Sequence, residues 1–264
     1  MRRSRCCTAS LFSLYAATRG SFRSGSNCTP LGYRQGSPSC FGRVDGRDAL
    51  PAALRYNNRV GVYADQVLPR LQDKVMDRKV ARPIRSRVCS GLHGDVVEIG
   101  FGSGLNVAHY PAEIAGVWAV EPSLVCMGLA RKRIEASSVE VEAAGLDGQD
   151  LDLPSERFDT ALSTWTLCTI PNVDRALSEV RRVLKPGGSF HFVEHGRAPD
   201  RDVVRWQKRI EPFNKRFAGG CHLTRRIVEL VTDAGFVVEQ LDEYYADGEP
   251  RPMGYTFEGR ARKA

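Results

Sequence analysis

The chain has 264 residues, of which 42% are hydrophobic, so it is long enough for one α/β domain of ordinary size with an extension. No apolar run reaches the roughly 18 residues that would indicate a membrane-spanning helix. The net charge of +7 arises within residues 1–44, which hold seven arginines and no Lys, Asp or Glu. Residues 45–264 are therefore neutral overall, and we expect no nucleic-acid partner.

Residues 1–50 are rich in Ser, Gly, Arg and Cys and show no hydrophobic periodicity, which predicts a disordered extension. The acid-free, arginine-rich composition also matches a targeting segment, and an over-extended reading frame is a third interpretation. Residues 51–264 then form the predicted catalytic domain.

The eight cysteines are scattered, with no Cys-x-x-Cys pair. Four of them lie in residues 1–50, and the others are Cys89, Cys126, Cys168 and Cys221. This spacing predicts no metal site, and dispersed single cysteines are typical of a reducing compartment, so we expect a cytoplasmic protein.

The first ordered elements are predicted between Tyr63 and Val88, where apolar residues recur at helical spacing up to Pro83. One or two helices should therefore lead into the sheet. The apolar run at residues 96–99 predicts a buried strand.

A glycine-rich turn follows that strand, with Gly100, Gly102 and Gly104 at every second position. Glycine tolerates positive φ and allows the backbone to approach a ligand. The spacing excludes the dinucleotide pattern G-x-G-x-x-G, because Leu105 or Val107 would occupy the third glycine position. Instead a carboxylate, Glu98, precedes the turn, and a carboxylate suits a cationic amino group better than a pyrophosphate.

The next strand is predicted over residues 116–120, and Glu121 ends it 21 residues after Gly100. A carboxylate at this position accepts hydrogen bonds from ribose hydroxyls, which indicates nucleoside binding. Ser123 is a suitable cap for a helix that continues to about Ala136, and a third strand follows over residues 139–143.

A loop over residues 145–154 leads to a fourth strand that begins at Phe158-Asp159. Thr164 and Cys168 lie at the carboxyl end of this strand, a helix covers residues 173–184, and a Pro-Gly turn precedes a fifth strand at 189–193. Alternating strands and helices predict a parallel sheet with helices on both faces.

In family order, these motifs resemble the class I S-adenosylmethionine (SAM)-dependent methyltransferases with a type 11 methyltransferase domain. That group includes the ubiquinone and menaquinone C-methyltransferases. The resemblance implies a Rossmann-like, seven-stranded, mostly parallel sheet whose last strands, at 236–243 and 254–262, form an antiparallel hairpin. It also implies that SAM is the cofactor, and that the residues that bind it are Glu98, Gly100, Gly102, Gly104, Asn106, Glu121, Asp147, Gly148 and Thr164. In the 145–154 loop, Asp147-Gly148 and Gln149-Asp150 remain alternatives for the contact with adenine.

The carboxyl-terminal tract, with Glu194-His195, Trp206-Gln207 and Gly219–Arg225, resembles the methyltransferase-like thiol methyltransferases. The resemblance implies a small, fairly apolar acceptor such as a thiol, a phenol or a quinone-like molecule. A macromolecular methyltransferase acting on RNA or protein and a non-catalytic SAM-binding protein are the alternatives. The sequence does not predict the oligomeric state.

Oxygen and carbon acceptors need a base to remove a proton, and the candidates are His195 and His222. Each could instead be structural, through a hydrogen bond to backbone or as a helix cap. Cys221 and Arg225 are interpreted as structural.

An amphipathic helix is predicted over residues 200–217, with an apolar stripe of Val203, Trp206, Ile210, Phe213 and Phe217 among basic residues. We favour a stripe that faces the core. Contact with a membrane surface is the weaker alternative.

Overall fold

The computed structural model describes residues 63–264, so the prediction for residues 1–50 lies outside the described part of the chain. A seven-stranded sheet in the order β3-β2-β1-β4-β5-β7-β6 forms the centre. Strands β1 to β5 are parallel, and β7 inserts antiparallel between β5 and β6, which confirms the predicted fold class. The strands are β1 (Gly94–Ile99), β2 (Ile114–Val120), β3 (Val141–Gly145), β4 (Phe158–Thr164), β5 (Leu184–His195), β6 (Phe236–Tyr245) and β7 (Tyr255–Lys263).

Seven α-helices connect or flank these strands in the described residues. They are α1 (Leu68–Met76), α2 (Ala81–Cys89), α3 (Leu124–Glu135), α4 (Val173–Val183), α5 (Arg201–Phe217), α6 (Ile227–Asp233) and α7 (Arg251–Gly254). A π-helical turn, Tyr63–Val67, precedes α1, and a 3-10 turn, Val107–His109, follows the glycine loop. Ser123 caps α3 as predicted, because its side chain accepts a hydrogen bond from the amide of Cys126.

Two buried clusters pack against the sheet. One joins the sheet to α4, α5 and α6, and the other joins it to α2 and α3. The apolar residues of β1 and β4 are almost fully buried, which explains why both strands are continuous apolar runs. Helices therefore cover both faces, and the carboxyl ends of β1, β2, β4 and β5 meet at one edge of the sheet.

Two predicted boundaries are wrong in detail. Pro83 does not end a helix, because it lies in the first turn of α2, where its missing amide is not needed for an intrahelical hydrogen bond. The predicted Pro-Gly turn lies within β5 as an irregularity, since the pairing with β4 jumps from Leu184 to Ser189 and Gly187 has φ of +75°.

The preferred interpretation of α5 is correct for Val203 and Ile210, which pack against buried clusters, and wrong for the aromatic residues of the stripe. The helix buries Val203, Val204, Gln207 and Asn214. Three aromatic residues of the predicted core-facing stripe are exposed instead, namely Trp206, Phe213 and Phe217. None of the helices in residues 63–264 combines the length and apolar character of a membrane span.

Candidate active site

The glycine loop after β1 has the backbone conformation that its sequence predicts. Gly100, Gly102 and Gly104 all have positive φ, between 59° and 74°. A Cβ on Gly100 would lie 2.1 Å from the hydroxyl oxygen of Thr166, so only glycine fits there. A Cβ on Gly102 would meet nothing closer than 3.9 Å, so that side of the loop is open to a ligand.

Glu121 anchors the glycine loop to the end of β2. Its side chain is buried, at 8% exposure, and accepts hydrogen bonds of 2.8 Å from the amides of Gly102 and Ser123. Each carboxylate oxygen can accept a second hydrogen bond. The arrangement therefore supports the loop and retains the acceptor capacity that ribose hydroxyls require.

Glu98, Asn106 and Thr164 form one buried network, although they come from three separate segments. The side-chain nitrogen Nδ2 of Asn106 donates to Glu98 Oε1 at 2.8 Å and to Thr164 Oγ1 at 3.0 Å. Tyr110 donates its hydroxyl proton to the other oxygen of Glu98. Glu98 is only 1% exposed, and burial raises its pKa to about 7, despite the lowering effect of the hydrogen bonds from Tyr110 and Asn106.

Arg85, from α2, supplies the positive charge in this network. Its guanidinium donates to Asn106 Oδ1 at 2.6 Å and lies 4.7 Å from the centre of the Trp165 ring. A buried carboxylate and a buried guanidinium thus lie on either side of the Asn106 side chain, beside the cleft at the carboxyl ends of the strands, and the guanidinium lines a cavity there. That charge pattern complements an amino acid with its ammonium and carboxylate groups.

A cavity of about 300 Å³ opens beside this network. It is lined by three arginines, Arg82, Arg85 and Arg133, together with Asp77, His109 and apolar residues such as Leu105. Arg82 pairs with Asp77 and Arg133 pairs with Asp73, which leaves Arg85 to attract an anionic group.

The 145–154 loop places Gly148 above the end of β1, since a Cβ there would lie 2.7 Å from Ile99 Cγ2. Asp147 is exposed, and one oxygen of its side chain accepts hydrogen bonds from the backbone and side chain of Gln149, each at 2.9 Å. The loop backbone therefore borders the cleft, whereas the Asp147 carboxylate is engaged within its own turn.

Trp165 lies at the carboxyl end of β4 with φ of +50°, an uncommon conformation for a bulky residue and one that often marks a functional position. Its ring stacks with Arg85 on one side and lies 6.2 Å, centre to centre, from the ring of His195. A cavity lined by Trp165, His195 and Thr256 continues between apolar residues of α1 and α2 such as Met76 and Ile84.

Glu194 holds the turn after Trp165 in place. Its fully buried carboxylate accepts hydrogen bonds from Ser163 Oγ and from the amides of Thr166, Leu167 and Cys168, at 2.8 to 3.2 Å. Burial raises the pKa of Glu194, although these hydrogen bonds favour its charged form. The turn is thereby fixed against the end of β5.

The two predicted catalytic histidines lie near a pair of cysteines. One ring nitrogen of His195 and the thiol sulfurs of Cys168 and Cys221 all lie within 4.8 Å of one another. Hydrogen bonding with Cys168 lowers the pKa of Cys221 to about 5. His222 differs, because its Nδ1 and its amide both lie within hydrogen-bond distance of the carbonyl of Cys168.

The described structure thus brings together most residues predicted from the sequence, at the edge formed by the ends of β1, β2, β4 and β5. Asp147 is the exception, since its carboxylate turns to Gln149. The sequence motifs did not indicate the roles of Arg85, Tyr110 and Glu194. Arg85 and Glu194 lie more than 20 residues from the groups they contact, whereas Tyr110 is 12 residues from Glu98. Arg225 has the structural role expected, because it donates to the carbonyls of the Leu167–Ile170 turn.

Comparisons with known proteins agree with this geometry. Residues 97–192 match the methyltransferase domain family. The human thiol S-methyltransferase TMT1B is 30% identical over 211 residues, covering 76% of this chain and 85% of the relative. A phosphatidylethanolamine N-methyltransferase of Cereibacter sphaeroides is 29% identical over 168 residues, 61% of this chain and 81% of the relative.

Solved structures show the same fold. A SAM-dependent methyltransferase of Thermotoga maritima superposes with a TM-score of 0.56 at 23% identity, covering 77% of this chain and 98% of that chain.

Proposed function

The chain belongs to the class I SAM-dependent methyltransferases with a type 11 methyltransferase domain, and we propose that it methylates the sulfur of a small, fairly apolar thiol. The observation that carries the choice of acceptor is the cavity beside Trp165, which contains the imidazole of His195 and has seven apolar residues among its twelve lining residues. The charged side chains of Arg78, Asp247 and Glu249 also belong to its lining. The similarity to thiol S-methyltransferases supports the same choice.

We propose that the residues of the cleft hold SAM by its charges and hydroxyls. Glu98 would accept from the ammonium group, and Arg85 would bind the carboxylate. Glu121 would accept from the ribose hydroxyls, while the loop at Asp147-Gly148 would border the adenine. Gly102 leaves the open space that the cofactor needs against the backbone.

SAM supplies a methyl group that is already activated by a positively charged sulfur. The protein therefore has to align the acceptor for in-line displacement and exclude water. A thiol has a pKa of about 8.5 and its thiolate is a strong nucleophile, so it needs less help than a phenol with a pKa of about 10. Trp165 and His195 would position the acceptor sulfur in this cavity.

Acceptors that share one carbon skeleton test the proposal. Thiophenol, phenol and aniline are offered with labelled SAM to the full chain, and transfer is followed by product mass. We expect methyl thioether as the main product. Preference for phenol or aniline would overturn the thiol assignment. SAM binding without transfer to any of them would favour a macromolecular methyltransferase or a non-catalytic SAM-binding protein.

A second candidate is N-methylation of a phospholipid amine at a membrane surface. The exposed Trp206, Phe213 and Phe217 on α5, with basic neighbours such as Arg209 and Arg216, have the composition of an interfacial helix. Vesicles that contain phosphatidylethanolamine test it through sedimentation and methyl incorporation. If this function holds, both should fall in a Trp206→Gln/Phe213→Gln variant. Methyl transfer to phosphatidylethanolamine without any vesicle binding would exclude a role of α5 in binding the membrane surface.

A further inference from the structure

Three side chains with soft or borderline metal-ligating atoms converge at the acceptor end of the cleft. Cys168 follows β4, His195 ends β5, and Cys221 follows α5, so they are 27 and 26 residues apart in sequence. Their ligating atoms nevertheless all lie within 4.8 Å of one another. Tetrahedral zinc with bonds of about 2.0 to 2.3 Å holds its ligand atoms about 3.5 to 3.8 Å apart, so the three atoms need to approach one another by no more than about 1 Å to share one ion.

Backbone hydrogen bonds hold Cys168 and His195 in place, and one from His222, the neighbour of Cys221, links the Cys221 loop to Cys168. Glu194 accepts from the amide of Cys168 at 3.2 Å, and the amide of His222 donates to the carbonyl of Cys168 at 2.7 Å. His195 pairs with Thr256 in the ladder between β5 and β7. His195 thus lies on a strand, while hydrogen bonds fix the turn that carries Cys168 and tie it to the loop that carries Cys221. Such support for the ligands is what a metal site requires.

The chemistry of the donor set selects the ion. Two sulfurs and one imidazole nitrogen suit Zn²⁺, whereas Mg²⁺ and Ca²⁺ require oxygen ligands. Catalytic zinc sites retain three protein ligands and leave the fourth position open, and a Cys₂His set is one of the known forms. Cys168 and Cys221 are buried, but His195 is partly exposed and lines the cavity beside Trp165.

We propose that Cys168, His195 and Cys221 bind one zinc ion, whose fourth position opens to the acceptor cavity beside Trp165. This assignment rests on the proposed thiol methylation, in which the sulfur of the acceptor thiol is the fourth ligand of the zinc ion. The acceptor thiol loses its proton to water when it binds the metal, because a bound metal ion deprotonates a coordinating thiol. Its sulfur forms a bond to the methyl carbon, while the bond from that carbon to the sulfonium breaks. The electron pair of the broken bond stays on the leaving thioether, so no oxidant or reductant is needed.

This role differs from the general base predicted for His195, since a ligand holds the ion and removes no proton from the acceptor. His222 is the matched comparison. It is the neighbouring imidazole of the same cluster, yet its ring contacts the carbonyl of Cys168 rather than a shared metal position.

Cobalt titration tests the site directly. The protein used is the full chain with four substitutions outside the proposed site, Cys6→Ser, Cys7→Ser, Cys28→Ser and Cys40→Ser. Its remaining thiols are Cys89, Cys126, Cys168 and Cys221, and the protein is kept under reducing conditions. We expect one Co²⁺ per chain, with sulfur-to-metal charge-transfer bands that zinc abolishes. Cys168→Ser, Cys221→Ser and His195→Ala should each weaken zinc binding by more than about 100-fold, because loss of a ligand exceeds the 10- to 100-fold effect of an outer partner. Cys126→Ser should change nothing, and His222→Ala should weaken binding by at most about tenfold.

Thermal unfolding and SAM binding of each variant show whether it is folded. His195→Ala keeps both thiols, so a folded His195→Ala variant that binds zinc as tightly as the parent overturns the proposal. So does a chain whose cobalt spectrum lacks thiolate bands, or one in which Cys168 and Cys221 form a disulfide under these reducing conditions.

Methyl transfer separates this inference from the proposed function. Zinc binding without thiol methylation would leave the metal site standing and overturn the acceptor. Thiol methylation that is unchanged after removal of zinc, or in a Cys168→Ser/Cys221→Ser double variant, would leave the function standing and overturn the role of the ion.

Discussion

Glu98→Gln gives the sharpest test of how the cleft holds SAM. Burial raises the pKa of Glu98 to about 7, so near neutral pH the free protein carries a mixture of its neutral and charged forms. If the ammonium of SAM binds the charged form, only that fraction is competent. With a pKa of about 7 the charged fraction is about one-tenth at pH 6 and about nine-tenths at pH 8. We therefore expect SAM to bind about tenfold more tightly at pH 8 than at pH 6.

The Glu98→Gln variant should lose this dependence of SAM affinity on pH. The amide that replaces the Glu98 carboxyl group cannot ionise, so the affinity should be flat between pH 6 and 8. At pH 8 the affinity of the variant for SAM should be lower by about 10- to 150-fold, the effect of losing about 1.5 to 3 kcal/mol from a charged hydrogen bond. Titration calorimetry in two buffers with different ionisation enthalpies would also count the proton that SAM releases from Glu98. Asp147→Asn, which removes an exposed carboxylate engaged with Gln149 in a loop next to the cleft, is the matched control and should retain the pH dependence of SAM affinity.

The same group makes the stability of the free protein depend on pH, in the opposite direction. A carboxylate whose pKa is raised on folding stabilises the fold below its ordinary pKa of about 4.5 and loses that contribution as pH rises through 7. A shift of this size corresponds to about 3 kcal/mol between those limits. Urea unfolding should show this component in the parent chain and not in Glu98→Gln. A SAM affinity that is constant from pH 6 to 8, or that rises toward pH 6, would refute the reasoning.

Three further changes probe separate parts of the site. Glu121→Ala removes the carboxylate that supports Gly102. SAM affinity, measured by calorimetry, should weaken by at least about tenfold, the effect of losing about 1.5 kcal/mol. Unchanged affinity would argue against the role of Glu121 with the ribose. Gly100→Ala forces a Cβ to within 2.1 Å of Thr166 Oγ1, so SAM binding should be lost while circular dichroism still shows a folded sheet; full binding would contradict the tight fit of the loop. Glu194→Ala leaves three amides and a hydroxyl without their acceptor, so the free energy of unfolding, measured in urea, should fall by about 2 to 4 kcal/mol. A fall below about 1 kcal/mol would mean that water replaces the carboxylate.

The parts of the fold that were predicted from sequence are those whose causes are local. The glycine turn, the strand before it and Glu121 follow one another within about 25 residues, and each depends on backbone conformation or strand ends. Ser123 was recognised as a cap for the same reason, since a cap acts within its own helical turn.

Contacts between distant segments could not be read in this way. Arg85 reaches Asn106 and Thr164 from a helix that precedes the sheet, and no periodicity in its own helix marks it. Cys168, His195 and Cys221 have no metal-ligand spacing, so their convergence depends on the order β1-β4-β5 and the return of the chain after α5.

The error at α5 has a different origin. Aromatic residues at helical spacing predict an apolar stripe, but the sequence does not say which stripe faces the protein. Here the buried face includes Gln207, whose side-chain amide bonds the backbone at Gly196 and Ala198. A polar residue with buried partners thus sets the orientation of the helix, and the aromatic side chains are left exposed.

Methyl transfer from labelled SAM to thiophenol, measured on the full chain and on the Glu121→Ala variant, tests whether the cleft binds SAM for thiol methylation. We expect a methyl thioether whose rate of formation saturates with SAM, and a kcat/KM for SAM that falls by at least about tenfold in the variant. A full chain that binds SAM and transfers its methyl group to phenol or aniline, but not to thiophenol, would contradict it.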